Sequence, residues 1–204
     1  MKKDFVLLSI RYQHKYIEAG CDEAGRGSFA GPVFAAAVIL GADFYHPLLD
    51  DSKKVTEENR NILREYIEKQ ALGFGVARVD AEEIDHINIL RASFKAMHKA
   101  IAQLKIIPGF LLIDGNRFTP HPEIPHKCIV QGDGLYASIA AASILAKTYR
   151  DEFMQGLHLE YPCYHWQRNK GYGTKKHREA IDRFGLCKYH RKSYQINSPQ
   201  LKML

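Results

Sequence analysis

The sequence predicts an α/β fold built on a mixed sheet. Three observations carry that expectation. Strand-like apolar segments come first, further strands then alternate with amphipathic helical stretches, and nothing from about residue 152 onward has the pattern of a strand. The 204 residues suit one domain with a substantial core.

Residues 15–21 read as a strand ending at Asp22. Residues 33–40 are small and apolar without alternation, as in a strand covered on both faces. A solvated loop holding Lys53 and Lys54 then leads to a helix that Thr56 can cap. Residues 73–79 read as a third strand. Across residues 81–104, Ile84, Ile87, Leu90, Phe94, Met97 and Ile101 recur at spacings of three and four, which predicts one helix with an apolar stripe. Pro108 and Gly109 end it, and residues 110–113 form a short buried strand running into Asp114-Gly115. Residues 128–130 read as the last strand and residues 135–153 as a helix. The remainder reads as helices and loops packed on one side of the sheet.

Composition excludes several classes. At 46% hydrophobic and 25% charged residues, the chain is neither disordered nor collagenous. Cys21, Cys128, Cys163 and Cys187 show no C-x-x-C spacing, so reduced thiols are expected and not a zinc ribbon. The apolar run at residues 5–10 is too short for an export signal, and residues 33–42 fall well short of the roughly 20 residues that span a bilayer. The expectation is a cytoplasmic protein with no membrane association, and a monomer.

The net charge of +6 is concentrated. From Lys147 to Lys192 eleven Lys and Arg stand against five Asp and Glu, which accounts for the whole excess and leaves the rest of the chain neutral. The same window carries Tyr149, Phe153, Tyr161, Tyr164, Trp166, Tyr172, Phe184 and Tyr189. Basic groups contact phosphates and aromatic faces stack on bases, so the combination points to nucleic acid. A solvated helical face with a few core aromatics is the plainer alternative.

Four acids sit at structural punctuation. Asp22-Glu23 ends a strand and meets Ala-Gly-Arg-Gly; Asp114 follows Phe-Leu-Leu-Ile; Asp133 lies between two glycines just before a helix. Strand ends of open α/β sheets are where catalytic groups gather. Carboxylates in such a place suit Mg²⁺, which takes oxygen ligands and keeps several waters, and a pair of ions can steady both oxygens of a phosphodiester displacement. Taken singly, Asp114 is more often a turn residue, Asp133 more often a helix N-cap, and Asp22-Glu23 an ordinary exposed pair. Neighbouring strand residues point to opposite faces, so Asp22 and Glu23 share a site only if the strand ends or bulges there, which Gly20, Gly25 and Gly27 make feasible.

The contexts of these acids resemble the ribonuclease HII family of type 2 ribonucleases H. The likeness runs from about Tyr16 to Tyr194 and comprises Gly-Cys-Asp-Glu-Ala-Gly-Arg-Gly (20–27), Ala-Gly-Pro-Val (30–33), Asp-Asp-Ser-Lys-Lys (50–54), Asp-Gly-Asn (114–116), Gly-Asp-Gly (132–134), Ala-Ala-Ser-Ile-Leu-Ala-Lys (141–147), Arg-Asp (150–151), Asn-Lys-Gly-Tyr-Gly-Thr (169–174) and His-Arg-Lys-Ser-Tyr (190–194). The resemblance implies a ribonuclease H fold: a five-stranded mixed sheet flanked by helices over about residues 15–150, a basic helical C-terminal extension over about 151–195, and a short tail, 196–204. It implies Asp22, Glu23, Asp114 and Asp133 as the catalytic acids holding Mn²⁺ or Mg²⁺. The implied reaction cuts the RNA strand of RNA–DNA hybrids and nicks 5′ of single ribonucleotides in duplex DNA, leaving 3′-hydroxyl and 5′-phosphate ends.

Gly25, Arg26 and Gly27 match the family segment that contacts the ribose, and Tyr172 matches the tyrosine at the RNA–DNA junction. The 2′-hydroxyl is what separates RNA from DNA at a site, and glycine lets backbone groups approach it. Lys53, Lys54 and Lys170 are expected at phosphates. Ser143 and Lys147 lie one turn apart on one helix face, placed to support the site or reach a phosphate. The chain departs from the family pattern where Ser28-Phe29 stands for the common Pro-Leu, which is expected to loosen the loop, and where Tyr194 stands for Phe, a mild change. His121, His126, His165, His177 and His190 read as surface or phosphate-contacting residues without ligand-like spacing.

Two other readings remain open. A junction resolvase would share the acids without needing a 2′-hydroxyl, and a non-catalytic hybrid-binding module would keep only the basic face. The tail Gln200-Leu201-Lys202-Met203-Leu204 resembles short peptides that dock on bacterial sliding clamps.

Overall fold

The computed structural model describes residues 8–195. The tail with its clamp-like peptide and the first half of the apolar run at residues 5–10 lie outside these residues. Five strands form one mixed sheet in the order β3-β2-β1-β4-β5. They are β1 Glu18–Ala24, β2 Val33–Ile39, β3 Gly73–Val79, β4 Phe110–Asp114 and β5 His126–Ile129. The first three pair antiparallel, and β4 and β5 run parallel to β1.

The helices are α1 Glu57–Gln70, α2 Ala81–Ile87, α3 Ile89–Ile101, α4 Ala137–Glu160, α5 Trp166–Asn169 and α6 Lys175–Phe184. Thr56 caps α1, its hydroxyl accepting from the Asn59 N–H at 3.3 Å. The single helix expected over 81–104 is two helices. Asn88 takes a positive φ of 66° between them, and its side chain caps α3 by accepting from the Arg91 N–H at 3.1 Å. A residue that favours caps thus interrupts an apolar stripe whose periodicity continues through it.

The sheet is buried on both sides. Ala19, Cys21, Val33, Ala35, Ala37, Leu111 and Ile113 pack with Ala92, Ala96, Met97 and Ala100 of α3. On the other face Ala36 and Val38 pack with Leu63 and Ile67 of α1 and with Ala141, Ala142, Ile144 and Leu145 of α4. The α4 backbone lies so close that a Cβ on Gly20 would sit 2.3 Å from the Ser138 carbonyl carbon. Helix α4 then runs without interruption past residue 150 into the basic part of the chain.

A third core forms there. Trp166, Tyr164, Met154, Leu157 and Ile181 pack around Phe29 and Ala30, with Tyr161, Phe153 and Tyr189 against them. Most aromatics of the basic window therefore serve as core, correcting the expectation of a stacking surface; Tyr172 and Phe184 remain exposed. The four cysteines are free thiols. Among the described residues no helix is long and apolar enough to cross a membrane.

Candidate active site

The acids meet where β1 and β4 end. The β1–β4 ladder runs to the Cys21–Ile113 pair, so Asp22 and Asp114 follow in register on adjacent parallel strands. Residues in register point to the same face, here the α4 side that Gly20 and Leu112 also face. Asp22 is buried and receives the Glu23 N–H at 2.7 Å and the Ser143 hydroxyl. Ser143 in turn shares a 2.9 Å hydrogen bond with Ser52. Burial pushes the Asp22 carboxyl well above the usual range, and the charges of Glu23 and Asp114 push it further. Asp114 is raised by burial and by Asp133, against the Gly132 N–H that donates to its Oδ1 at 2.7 Å.

Asp133 sits in a buried 3₁₀ turn, Gly132–Gly134, and does not cap α4, whose N-cap is Tyr136. The N-cap alternative for Asp133 is thereby removed. Its Oδ2 accepts from Lys53 Nζ at 3.1 Å. Glu23 is the awkward member. The expected strand break does not occur: β1 continues through Glu23 to Ala24, with Glu23 opposite Ala35 and Ala24 opposite Phe34 on β2. Glu23 therefore starts from the face opposite Asp22, and its Oε1 is held at 3.0 Å by Arg26 Nη1. Burial still raises its carboxyl, Arg26 opposes that, and Asp114 adds to it, so the three acids feel one another's charge.

Among the described residues no three His, Cys, Asp or Glu side chains stand together as a ready metal cage. Glu23 is engaged by Arg26 and Asp133 by Lys53. The donor set nonetheless fits a hard divalent ion: every candidate ligand is a carboxylate, Asp22 and Asp133 are buried with Asp114 half-buried beside them, and their repulsion is what a cation relieves.

The Gly-Arg-Gly loop leaves β1 beside these acids. Gly25 has φ +94°, and a Cβ there would fall 2.0 Å from Arg150 Nε, so only glycine fits. Arg26 and Gly27 are the exposed residues of the turn, with open space around Gly27. Tyr172 is 39% exposed, and its ring lies 5.4 Å from the Arg150 guanidinium, which ties it to the same loop.

Three of the expected phosphate contacts are otherwise engaged. Lys147 pairs with Asp151 one turn along α4. Lys170, buried and with φ 48°, lies 3.6 Å from Glu57 at the start of α1. Lys53 reaches back to Asp133, while exposed Lys54 lies 3.3 Å from Asp50. For Lys53 and Lys170 the acid that takes the ammonium lies far away in sequence.

Four residues have structural roles that the sequence did not indicate. Arg150 and Arg191 are fully buried beneath the Gly-Arg-Gly loop, although arginine ordinarily signals a solvated position. His177 and His190, expected at the surface, are buried at 0% and 1% exposure with their Nε2 atoms 3.2 Å apart. Trp166 Nε1 donates to His177 Nε2 at 3.0 Å, and His177 Nδ1 lies 2.9 Å from the Tyr172 carbonyl. That carbonyl accepts a hydrogen bond from Nδ1–H, which leaves His177 Nε2 as the acceptor and His190 Nε2 as a donor to it.

Residues 19–197 match the family model described as Ribonuclease HII. The chain belongs to the ribonuclease HII family. The Ribonuclease HII of Parabacteroides distasonis is 62% identical over 187 residues, covering 92% of this chain and 94% of that protein. The Ribonuclease HII of Christiangramia forsetii is 57% identical, covering 94% and 97%. The ribonuclease H2 of Pyrococcus horikoshii has the same fold, with a TM-score of 0.72 at 23% identity over 88% of this chain and 94% of that one. So does Bst-RNase HIII, solved in complex with Mn²⁺, with a TM-score of 0.68 at 17% identity over 91% and 69%. As a ribonuclease HII, the protein is a hydrolytic endoribonuclease of the ribonuclease H class.

Proposed function

We propose that this ribonuclease HII hydrolyses the RNA strand of RNA–DNA hybrids and nicks 5′ of single ribonucleotides in duplex DNA. The observation that carries the reading is the in-register pair Asp22 and Asp114 at adjacent strand ends, beside an exposed Arg26–Gly27 turn. A catalytic acid pair thus stands next to backbone donors suited to a ribose hydroxyl.

Asp22 and Asp114 are the central ligands of Mn²⁺ or Mg²⁺, with Glu23 and Asp133 completing the set. When bound, such an ion supplies an activated water at neutral pH and neutralises charge building on the phosphate. Ser143 orients Asp22, and the Gly132 N–H orients Asp114. Arg26 and Lys53 hold the charge of Glu23 and Asp133 in the absence of metal and substrate, then become available to phosphates. Lys54 is a further phosphate contact. Gly25, Arg26 and Gly27 read the 2′-hydroxyl, and Tyr172 packs at the RNA–DNA junction. Lys147 and Lys170 act as internal ion pairs that fix α4 and the 169–174 loop, not as phosphate contacts. The Mn²⁺ bound by Bst-RNase HIII supports metal dependence. The Archaeoglobus fulgidus RNase HII, solved as a PCNA complex, supports Gln200–Leu204 as a clamp-docking peptide, testable by a clamp pull-down after deletion of residues 200–204.

The test compares a duplex with one ribonucleotide, a full hybrid and an all-DNA duplex and junction, each with and without Mn²⁺ or Mg²⁺. Cleavage of the first two only, and only with metal, is expected. Faster cutting of an all-DNA junction would instead favour a resolvase, and tight hybrid binding without turnover a binding module.

A further inference from the structure

Beneath the Arg26–Gly27 turn, two buried guanidiniums and two hydroxyls converge on the carbonyls of one loop. Arg191 Nη2 donates to the Gly25 carbonyl at 2.7 Å and to the Gly31 carbonyl at 2.9 Å, and Nη1 donates to the Arg26 carbonyl at 2.8 Å. Arg150 donates from Nε to the Pro32 carbonyl at 3.1 Å and from Nη2 to the Ala30 carbonyl at 3.2 Å. Two hydroxyls complete the arrangement. Ser28 Oγ accepts from Arg150 Nη2 at 2.7 Å and donates to the Gly25 carbonyl at 2.9 Å. Tyr194 OH accepts from Arg191 Nη1 at 3.0 Å and donates to the Arg26 carbonyl at 2.6 Å. Ser28 and Tyr194 are two of the three positions where the chain departs from the family pattern, and each brings a hydroxyl to this loop.

Neither buried guanidinium has a carboxylate at ion-pair distance among the described residues, so carbonyl oxygens are their principal compensation. A buried charge compensated in this way fixes the orientation of the peptides that compensate it. In a trans peptide the N–H points opposite to its carbonyl. With the Gly25 and Arg26 carbonyls turned inward, the Arg26 and Gly27 N–H groups must face outward. Among the described residues neither N–H donates a hydrogen bond, and both belong to the exposed tip of the loop. Polarisation by the guanidinium and hydroxyl donors strengthens the outward N–H groups as donors.

We propose that Arg191, Ser28 and Tyr194 are positioning residues that aim the Arg26 and Gly27 N–H groups at the ribose 2′-hydroxyl, with Arg150 anchoring the clamp. This rests on the reading of the Gly-Arg-Gly loop as the ribose contact. The expected loosening at Ser28-Phe29 is replaced by the opposite: Ser28 is fully buried and bonded on two sides, and Phe29 packs in the third core.

The test measures binding by the full chain in a chelator, so that no cleavage intervenes, to a duplex with one ribonucleotide and to its all-DNA counterpart. Wild type binds the ribonucleotide duplex more tightly. In Ser28→Ala, Tyr194→Phe and Arg191→Lys, that preference falls toward unity, by at least about fivefold in the double hydroxyl variant, while all-DNA affinity stays within about twofold. The amide exchange of Arg26 and Gly27 changes in parallel. Variants that stay folded and keep the full wild-type preference overturn the clamp. A wild type with no preference for the ribonucleotide overturns the reading of the loop itself, whatever the variants do. Ser28→Ala and Tyr194→Phe remove single hydroxyls and keep the test decisive if Arg191→Lys does not fold.

Discussion

Asp22 and Asp114 occupy the same register on adjacent parallel strands, one step beyond the Cys21–Ile113 rung that ends the ladder. Burial and the charges of Glu23 and Asp114 raise the Asp22 carboxyl, and burial and Asp133 raise the half-buried Asp114, which marks a place that favours a cation. Asp114→Asn keeps an oxygen for the Gly132 N–H and removes one of the charges that act on Asp22. It is expected to weaken Mn²⁺ binding at least about tenfold in a calorimetric titration while leaving the metal-free melting temperature equal or a few degrees higher. Undiminished Mn²⁺ affinity in that variant contradicts the assignment.

The His177–His190 pair predicts a stability change in acid. Burial lowers both imidazoles, and the neighbouring His177 helps bring His190 to about 4. Each folded-state value lies below the unfolded value of about 6.5, so their contribution is complete above that pH. It is lost as the pH falls from about 6.5 toward about 4, where protonation would set N–H against N–H at the shared Nε2 contact. The expected loss is on the order of 2 kcal/mol across that window. Urea unfolding from pH 7.5 to 4.5 measures it, and His190→Gln should flatten the profile. An equally steep fall in His190→Gln excludes the pair as the cause.

Glycines 25 and 27 should respond in opposite ways to alanine. Gly25 combines φ +94° with a Cβ position 2.0 Å from Arg150 Nε, so Gly25→Ala is expected to cost about 3 kcal/mol or more, or to prevent folding. Gly27 meets nothing within 4 Å, and Gly27→Ala should stay within about 1 kcal/mol of wild type. Equal behaviour of the two variants in urea unfolding contradicts the described loop geometry.

Asp85 anchors the segment that carries Arg191 and Tyr194. Its carboxylate receives the Lys192 N–H at 2.9 Å, and the Ser193 N–H and hydroxyl at 2.9 and 2.6 Å. Asp85→Ala should cost about 1 kcal/mol and speed proteolysis after residue 190. A cleavage pattern identical to wild type argues that the segment is held without it.

The strands were legible because apolar runs bounded by glycine, proline and charge leave few alternatives, and residues 73–79 form β3 as expected. Asp22 and Asp114 were legible as strand-end acids, but their register depends on β1 and β4 pairing across more than ninety residues of chain, which local pattern does not encode. Glu23 was expected to need a broken strand; pairing of Ala24 with Phe34 keeps the strand regular, and Arg26 takes its carboxylate instead. Arg150, Arg191, His177 and His190 escaped notice because each is a polar residue in a basic segment, where solvent exposure is the usual outcome. Ser28 looked like a weakened turn until its two hydrogen bonds gave it a role.

Single-turnover cleavage of a one-ribonucleotide duplex by wild type and by Asp22→Asn, in saturating Mn²⁺ or Mg²⁺, tests the central claim most directly. The account predicts a rate loss of at least about 10³-fold in a variant that folds and still binds the duplex. An Asp22→Asn rate within about tenfold of wild type would contradict it.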